Sequence, residues 1–242
     1  AKFQKRNPDV CVPEHQKNVL RSTPWGEMTY IKYKHKVEFT DVEYDIINDY
    51  CKQKPVDWSA SVWDFDSLEF LMKYDLPFLK IPSAMMTNKE LVAETAKTGV
   101  PVIMSTGMSS LAEVDEAVDN LLSKTNDVVL MHTNSSYPTP KKEINLSLIP
   151  FLKDRYGCTI GYSGHEEDLE PTVVAVALGA TVIERHITLS HNMWGTDQKS
   201  SLEVLAMDML RKRANDINLI MGEPKKIVTD SEVAIRKKLR GN

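Results

Sequence analysis

From residue 2 almost to its end, the sequence alternates short apolar runs with amphipathic stretches. An apolar run of about four to eight residues suits a strand buried on both faces, and a following 3.6-residue period suits a helix that covers it. Such alternation predicts parallel strands joined by crossover helices, an α/β fold. Strands are expected at residues 2–4, 57–62, 78–81, 100–104, 128–132, 159–162 and 181–184. Helices are expected at 40–53, 66–74, 88–97, 109–122, 170–178 and 202–221. Ser110-Leu-Ala-Glu113 has the spacing of a capping box at the head of one helix, and Thr87-Asn-Lys-Glu90 repeats it.

Two α/β architectures compete for this pattern. A doubly wound sheet places its ligand on a glycine-rich loop after the first strand, yet neither GxGxxG nor GxxxxGK[ST] occurs. A (β/α)8 barrel instead gathers its chemistry at the C-terminal ends of many strands. Here Ser61, Ser83, Ser105, Ser135, Tyr137, His165 and His186 fall at or just past successive strand ends, which favours the barrel. Seven strands are one short of a closed ring, and an open barrel leaves two unpaired edges. The chain also opens on Ala1-Lys-Phe-Gln4 with no lead-in. The expected fold is therefore a (β/α)8 TIM barrel whose first β/α unit is missing from this sequence. Residues 1–242 are read as one barrel domain, with 222–242 a charged tail.

Composition narrows the function classes. A net charge of -4, from 30 Lys+Arg against 34 Asp+Glu interspersed along the chain, offers no stripe to follow a nucleic-acid backbone. No apolar run approaches the roughly 20 residues that span a bilayer, and no signal peptide is visible. Cys11, Cys51 and Cys158 are an odd number without metal-ligand spacing, which suits a reducing compartment. A cytoplasmic protein without nucleic-acid or membrane partners is expected.

His165 and His186 each follow a predicted strand, so a barrel would aim both imidazoles into its mouth. Two such rings suit a divalent-metal site completed by water, a carboxylate or substrate, although each alone would be an ordinary loop residue. Ser83, Ser105, Ser135 and Ser163, with Lys80 on the strand before Ser83, form a second group. Hydroxyls, a lysine and backbone amides at converging loop ends suit a phosphate, whereas single serines commonly cap the next helix. Glu184 lies inside an apolar strand, where a carboxylate is costly to bury unless paired. Asp197 sits in a loop, where a surface carboxylate is the default. Lys2 and Gln4 alternate with Phe3, so both would face the barrel interior.

Taken in order, Lys2-Phe-Gln4, Lys80-Ile-Pro-Ser83, Ser105-Thr-Gly-Met108, Tyr137-Pro138, Gly161-Tyr-Ser-Gly-His165, Ala177-Leu-Gly-Ala180, Glu184-Arg-His186 and Gly195-Thr-Asp197 resemble the sialic acid synthases. These are the phosphoenolpyruvate-condensing nonulosonate synthases, and the resemblance covers nearly the whole chain. It implies a (β/α)8 barrel and a transferase that joins phosphoenolpyruvate to an N-acyl amino sugar such as N-acetylmannosamine. The products would be N-acetylneuraminate or a related nonulosonic acid, and phosphate, in surface-glycan biosynthesis. By position, it implies that His165 and His186 hold Mn²⁺ or Mg²⁺. It places Lys80, Ser83, Ser105, Ser135, Ser163 and, less directly, Ser61 on phosphoenolpyruvate. Lys2, Tyr137, Glu184 and Asp197 match residues around the sugar and the reacting atoms. A homodimer is the usual assembly of the family.

Four departures accompany the resemblance. Against the family pattern, the expectation is that this sequence lacks the opening strand, with its acidic residue and Asn-His pair, and the small antifreeze-like domain that follows the barrel in most members. Met85 stands where a glutamate is frequent, and the usual Ser-Asp-His reads Ser163-Gly164-His165. Two other functions suit the same residues: a sugar- or phosphate-binding barrel with weak turnover, and a synthase of another 3-deoxy sugar acid (legionaminic, pseudaminic or octulosonic).

Overall fold

The computed structural model describes residues 1–241. In chain order it runs β1 (Lys2–Lys5), α1 (Pro8–Cys11), α2 (Glu14–Lys17), β2 (Leu20–Thr23), β3 (Gly26–Thr29), α3 (Tyr30–Val37) and α4 (Asp41–Gln53). Then come β4 (Ser59–Val62), α5 (Phe65–Leu71), β5 (Leu79–Ile81), α6 (Lys89–Lys97), β6 (Val102–Ser105), α7 (Leu111–Leu122) and β7 (Val128–Thr133). The chain continues through α8 (Leu148–Tyr156), β8 (Thr159–Gly164), α9 (Glu170–Ala177), β9 (Val182–Arg185), α10 (Val204–Met221) and α11 (Asp230–Arg240).

All seven strands expected from the sequence pair in parallel in one sheet, in the order β1-β4-β5-β6-β7-β8-β9. The sheet curls far enough for Lys2 on β1 and Glu184 on β9, its two edge strands, to form an ion pair at 3.4 Å. Among the described residues no strand bridges β1 and β9, so the ring is open on that side. The fold is thus the α/β curl of a barrel in seven strands, with a small β2-β3 hairpin outside it.

Strand alternation decides which side chains enter the lumen. On β1, Phe3 points outward and meets Phe39, Tyr44 and Trp58 edge-on at ring separations of 6.0 to 6.5 Å, while Lys2 and Gln4 line the interior. Leu79 and Ile81 flank Lys80 in the same way and are fully buried between sheet and helices. Two apolar layers result. One packs Val102, Met104, Leu130 and Ile160 against the buried faces of α6, α7 and α8. The other packs Ala60, Val62 and Leu79 against Tyr44, Leu68 and Leu71 from α4 and α5.

The Ser110 capping box forms as its spacing predicts. The second box does not: Asn88 rather than Thr87 caps α6, its side chain accepting from the Leu91 N–H. The charged tail contains the amphipathic helix α11, which buries none of its residues; the tail's last residue, Asn242, lies outside the described ones.

Candidate active site

At the C-terminal ends of the strands a cavity of about 220 Å³ is lined by Lys2, Ser61, Lys80, Ser83, Ser105, Ser135, Tyr137, Ser163, His165, Glu184 and His186. All but one of the residues singled out from the sequence therefore meet in one place. The exception, Asp197, stands behind the cavity, its carboxylate 3.7 Å from Nδ1 of His186.

Lys80 is the centre of the charged part. It is 2% exposed, donates to Ser105 Oγ at 2.6 Å and lies 3.5 Å from the Glu184 carboxylate. Burial pulls its pKa from 10.5 down to about 8, against the opposing pull of Glu184. Burial alone would raise the Glu184 pKa, but the charges of Lys80 and Lys2 and a 2.9 Å hydrogen bond from Ser163 Oγ outweigh it and hold the carboxylate at about 2. Lys2 also donates to Ser61 Oγ at 3.4 Å. The cost expected for a carboxylate on an apolar strand is thus met by two ammonium groups.

Beside this cluster lies a group of hydroxyls. The Gly107 backbone N–H donates to Ser83 Oγ at 3.0 Å. A Cβ at Gly107 would sit 2.9 Å from Ser83 Oγ, 3.0 Å from Thr133 Cγ2 and closer still to Ser135 Oγ. Only glycine lets these three chain segments converge, which sets the Ser83 and Ser135 hydroxyls side by side at the cavity wall. Gly107→Ala is expected to force Ser83 and Ser135 apart. It should weaken binding of inorganic phosphate in this cavity about tenfold, or ~1.4 kcal/mol, with a small loss of stability; calorimetric titration checks this.

The histidines form the opposite wall. His165 Nδ1 lies 2.5 Å from the Asn134 carbonyl, which only accepts, so Nδ1 carries the proton. Nε2 is then a bare acceptor and takes the Tyr137 hydroxyl at 2.9 Å, the Tyr137 ring being stacked on the imidazole at 4.1 Å. His186 crosses His165 at 76° with ring centres 5.3 Å apart. Burial lowers the pKa of both; His186, further disfavoured as a cation by His165, falls to about 4. Both imidazoles are therefore neutral near pH 7, the form that ligates metals, and His165 has the backbone-anchored N–H of a ligating histidine. No third His, Cys, Asp or Glu among the described residues joins them in a closed cluster. The pair fits an open divalent site that water and substrate oxygens would complete.

Gln4, Trp63 and Thr133 also line the cavity. Gln4 Oε1 is buried without a hydrogen-bond partner, an acceptor left for a ligand. Its alternation with Lys2 was the available signal, whereas Trp63 has none in the sequence. Met85 packs against both apolar layers and is absent from the lining.

A curled parallel α/β sheet with lysines, hydroxyls and a neutral histidine pair at its C-terminal rim has the make-up of an enzyme site for a small anionic substrate. The profile of the NeuB family matches residues 1–226, and the chain belongs to that family. It is 40% identical to the N-acetylneuraminate-9-phosphate synthase of Drosophila melanogaster over 74% of its own length and 48% of the relative's. It is 32% identical to the N,N'-diacetyllegionaminic acid synthase of Campylobacter jejuni, covering 96% of this chain and 71% of that protein. It thus spans about half the length of the Drosophila relative. The crystal structure of N-acetylneuraminic acid synthetase from Leptospira borgpetersenii superposes with a TM-score of 0.86 at 30% identity, over 100% of this chain and 81% of that one. A Thermotoga maritima phospho-2-dehydro-3-deoxyheptonate aldolase, at 14% identity and a TM-score of 0.66, shares the fold. No described helix is long and apolar enough to cross a membrane.

Proposed function

We propose that the chain carries the condensing site of a nonulosonic acid synthase, joining phosphoenolpyruvate to N-acetylmannosamine or a related N-acyl amino sugar in surface-glycan biosynthesis. The observation that carries the proposal is the meeting of Lys2, Lys80 and the Ser83, Ser105 and Ser135 hydroxyls with the neutral His165–His186 pair in one small cavity.

In the reaction, C3 of phosphoenolpyruvate bonds to the aldehyde carbon, whose oxygen takes a proton to become a hydroxyl. Water adds to C2 and gives up a proton, and the C2–O bond then breaks to release phosphate and leave a 2-keto acid. Lys80 and Lys2 offset the ligand's negative charge, and the Ser83, Ser105 and Ser135 hydroxyls donate to its oxygens, with Ser83 oriented by the Gly107 N–H; Ser163, which donates to Glu184, sets that carboxylate beside the ligand. Glu184, kept ionised by the lysines, accepts a hydrogen bond from a sugar hydroxyl or from the water approaching C2. The Tyr137 hydroxyl, whose pKa burial raises, stays protonated; it donates to His165 Nε2 in this structure and would be freed to donate at the aldehyde end when that nitrogen turns to a metal. A divalent ion, Mn²⁺ or Mg²⁺, held by His165 and His186 would supply Lewis-acid polarisation of the aldehyde oxygen. Asp197, 3.7 Å from Nδ1 of His186 and outside the lining, is placed to meet the sugar or the His186 ring when either moves toward it.

Phosphate release from phosphoenolpyruvate, with and without N-acetylmannosamine or related N-acyl amino sugars and with Mn²⁺ or EDTA, tests the proposal. Release that needs both sugar and metal is expected; release indifferent to the sugar would contradict it. The alkaline side of the rate profile has a definite sign. Lys80 loses its proton as pH rises through about 8, so kcat/KM for phosphoenolpyruvate should fall tenfold per pH unit above that value.

A further inference from the structure

Each histidine of the site adjoins a charged residue that does not enter the lumen: Glu166 follows His165, and Arg185 precedes His186. Arg185 points away from Glu184 and His186 by strand alternation, and its register partner on β8 is Gly164. The Arg185 and Glu166 side chains are 1% and 2% exposed and pair at 3.0 Å. Arg185 Nη1 also donates to the Asp168 carbonyl at 3.1 Å and to Thr172 Oγ1 at 2.9 Å, and Nη2 donates to the Glu166 carbonyl. Glu166 in turn accepts from Thr172 Oγ1 at 3.0 Å and from the Tyr162 hydroxyl at 2.8 Å. One guanidinium thereby ties the turn after His165 to the strand end that carries His186.

Gly164 makes this possible. A Cβ there would lie 2.6 and 2.7 Å from the two Glu166 carboxylate oxygens and 2.8 Å from Tyr162 Cε1. The Glu166 carboxylate therefore occupies the space that a side chain at position 164 would take. A carboxylate borne by residue 164 would itself face Arg185 across the ladder.

We propose that Glu166 and Arg185 are positioning residues that fix the spacing and orientation of His165 and His186, and that the carboxylate Arg185 requires is supplied from position 166 or from position 164 but not from both. The inference rests on the proposed function only in treating the two histidines as a working metal-binding pair.

Three variants of the full chain test it: Glu166→Gln, Glu166→Ala, and the swap Gly164→Asp/Glu166→Ala. Mn²⁺ affinity is measured by titration, and the histidine side-chain resonances by ¹⁵N NMR without metal. Glu166→Gln should weaken Mn²⁺ binding about 10–100-fold and move the resonances of both His165 and His186. The swap should return affinity to within about threefold of the original and restore the resonances, a rescue that general destabilisation would not produce. Unchanged affinity and resonances in Glu166→Gln, or a swap no better than Glu166→Ala, would overturn the proposal. Should Glu166→Gln fail to fold, Arg185→Lys is read the same way, because a single ammonium keeps the charge but lacks the two-nitrogen fork that reaches the carboxylate, Thr172 and both carbonyls at once. If the original chain binds no Mn²⁺, the metal assignment falls, and the histidine resonances alone decide: movement in Glu166→Gln upholds the positioning role, and no movement overturns it.

Discussion

Lys80→Met is expected to lower kcat/KM for phosphoenolpyruvate by about 10³-fold, ~4 kcal/mol of lost transition-state stabilisation, while the protein stays folded. Methionine fills a similar volume but offers no charge to the ligand and no proton to Ser105, now 2.6 Å away. Glu184 is not stranded by the change, because Lys2 at 3.4 Å and Ser163 at 2.9 Å still hold it. Stability should respond in the opposite sense to activity at alkaline pH. The folded-state pKa of Lys80 is depressed from 10.5 to about 8, so the unfolded chain binds this proton more tightly. The contribution is present above 10.5 and is lost as pH falls through about 8. The original chain should therefore gain stability between these values, and Lys80→Met should lack that gain. Steady-state kinetics with thermal melts at pH 7 and pH 10 check both parts; near-normal kcat/KM would remove Lys80 from the site.

His186→Ala should abolish metal-dependent condensation, a fall of about 10³-fold or more, and leave the far-UV circular dichroism unchanged. The imidazole contributes to the cavity wall and not to either apolar layer. Its removal leaves His165 anchored through Nδ1 by the Asn134 carbonyl but deprives an open site of one of its two nitrogen ligands. Metal titration of the variant beside the kinetics separates lost binding from lost folding. Full activity in EDTA would end the metal assignment.

Much of the site was legible because strand alternation is simple physics. Lys2 and Gln4 around Phe3, or Glu184 and His186 around Arg185, declare which side chains share a face once the segment is recognised as a strand. The β2-β3 hairpin gave no such signal, since Leu20–Thr23 is exposed except at Thr23 and lacks apolar alternation. Helix α8 buries only Ile149 and Leu152 and carries Pro150 near its start, too little periodicity to stand out. Thr87 and Asn88 are adjacent capping side chains, and spacing could not choose between them. The Glu166–Arg185 pair depends on Gly164 facing Arg185 across the ladder, a register that no local pattern contains.

The most direct measurement follows the carbon. The chain is incubated with phosphoenolpyruvate bearing ¹³C at all three carbons, N-acetylmannosamine and Mn²⁺, and the products are examined by mass spectrometry. A nonulosonic acid carrying all three labelled carbons, formed in step with phosphate, is the predicted result. Label appearing only in pyruvate would mean that the cavity cleaves phosphoenolpyruvate without joining it to a sugar, and would contradict the condensing function.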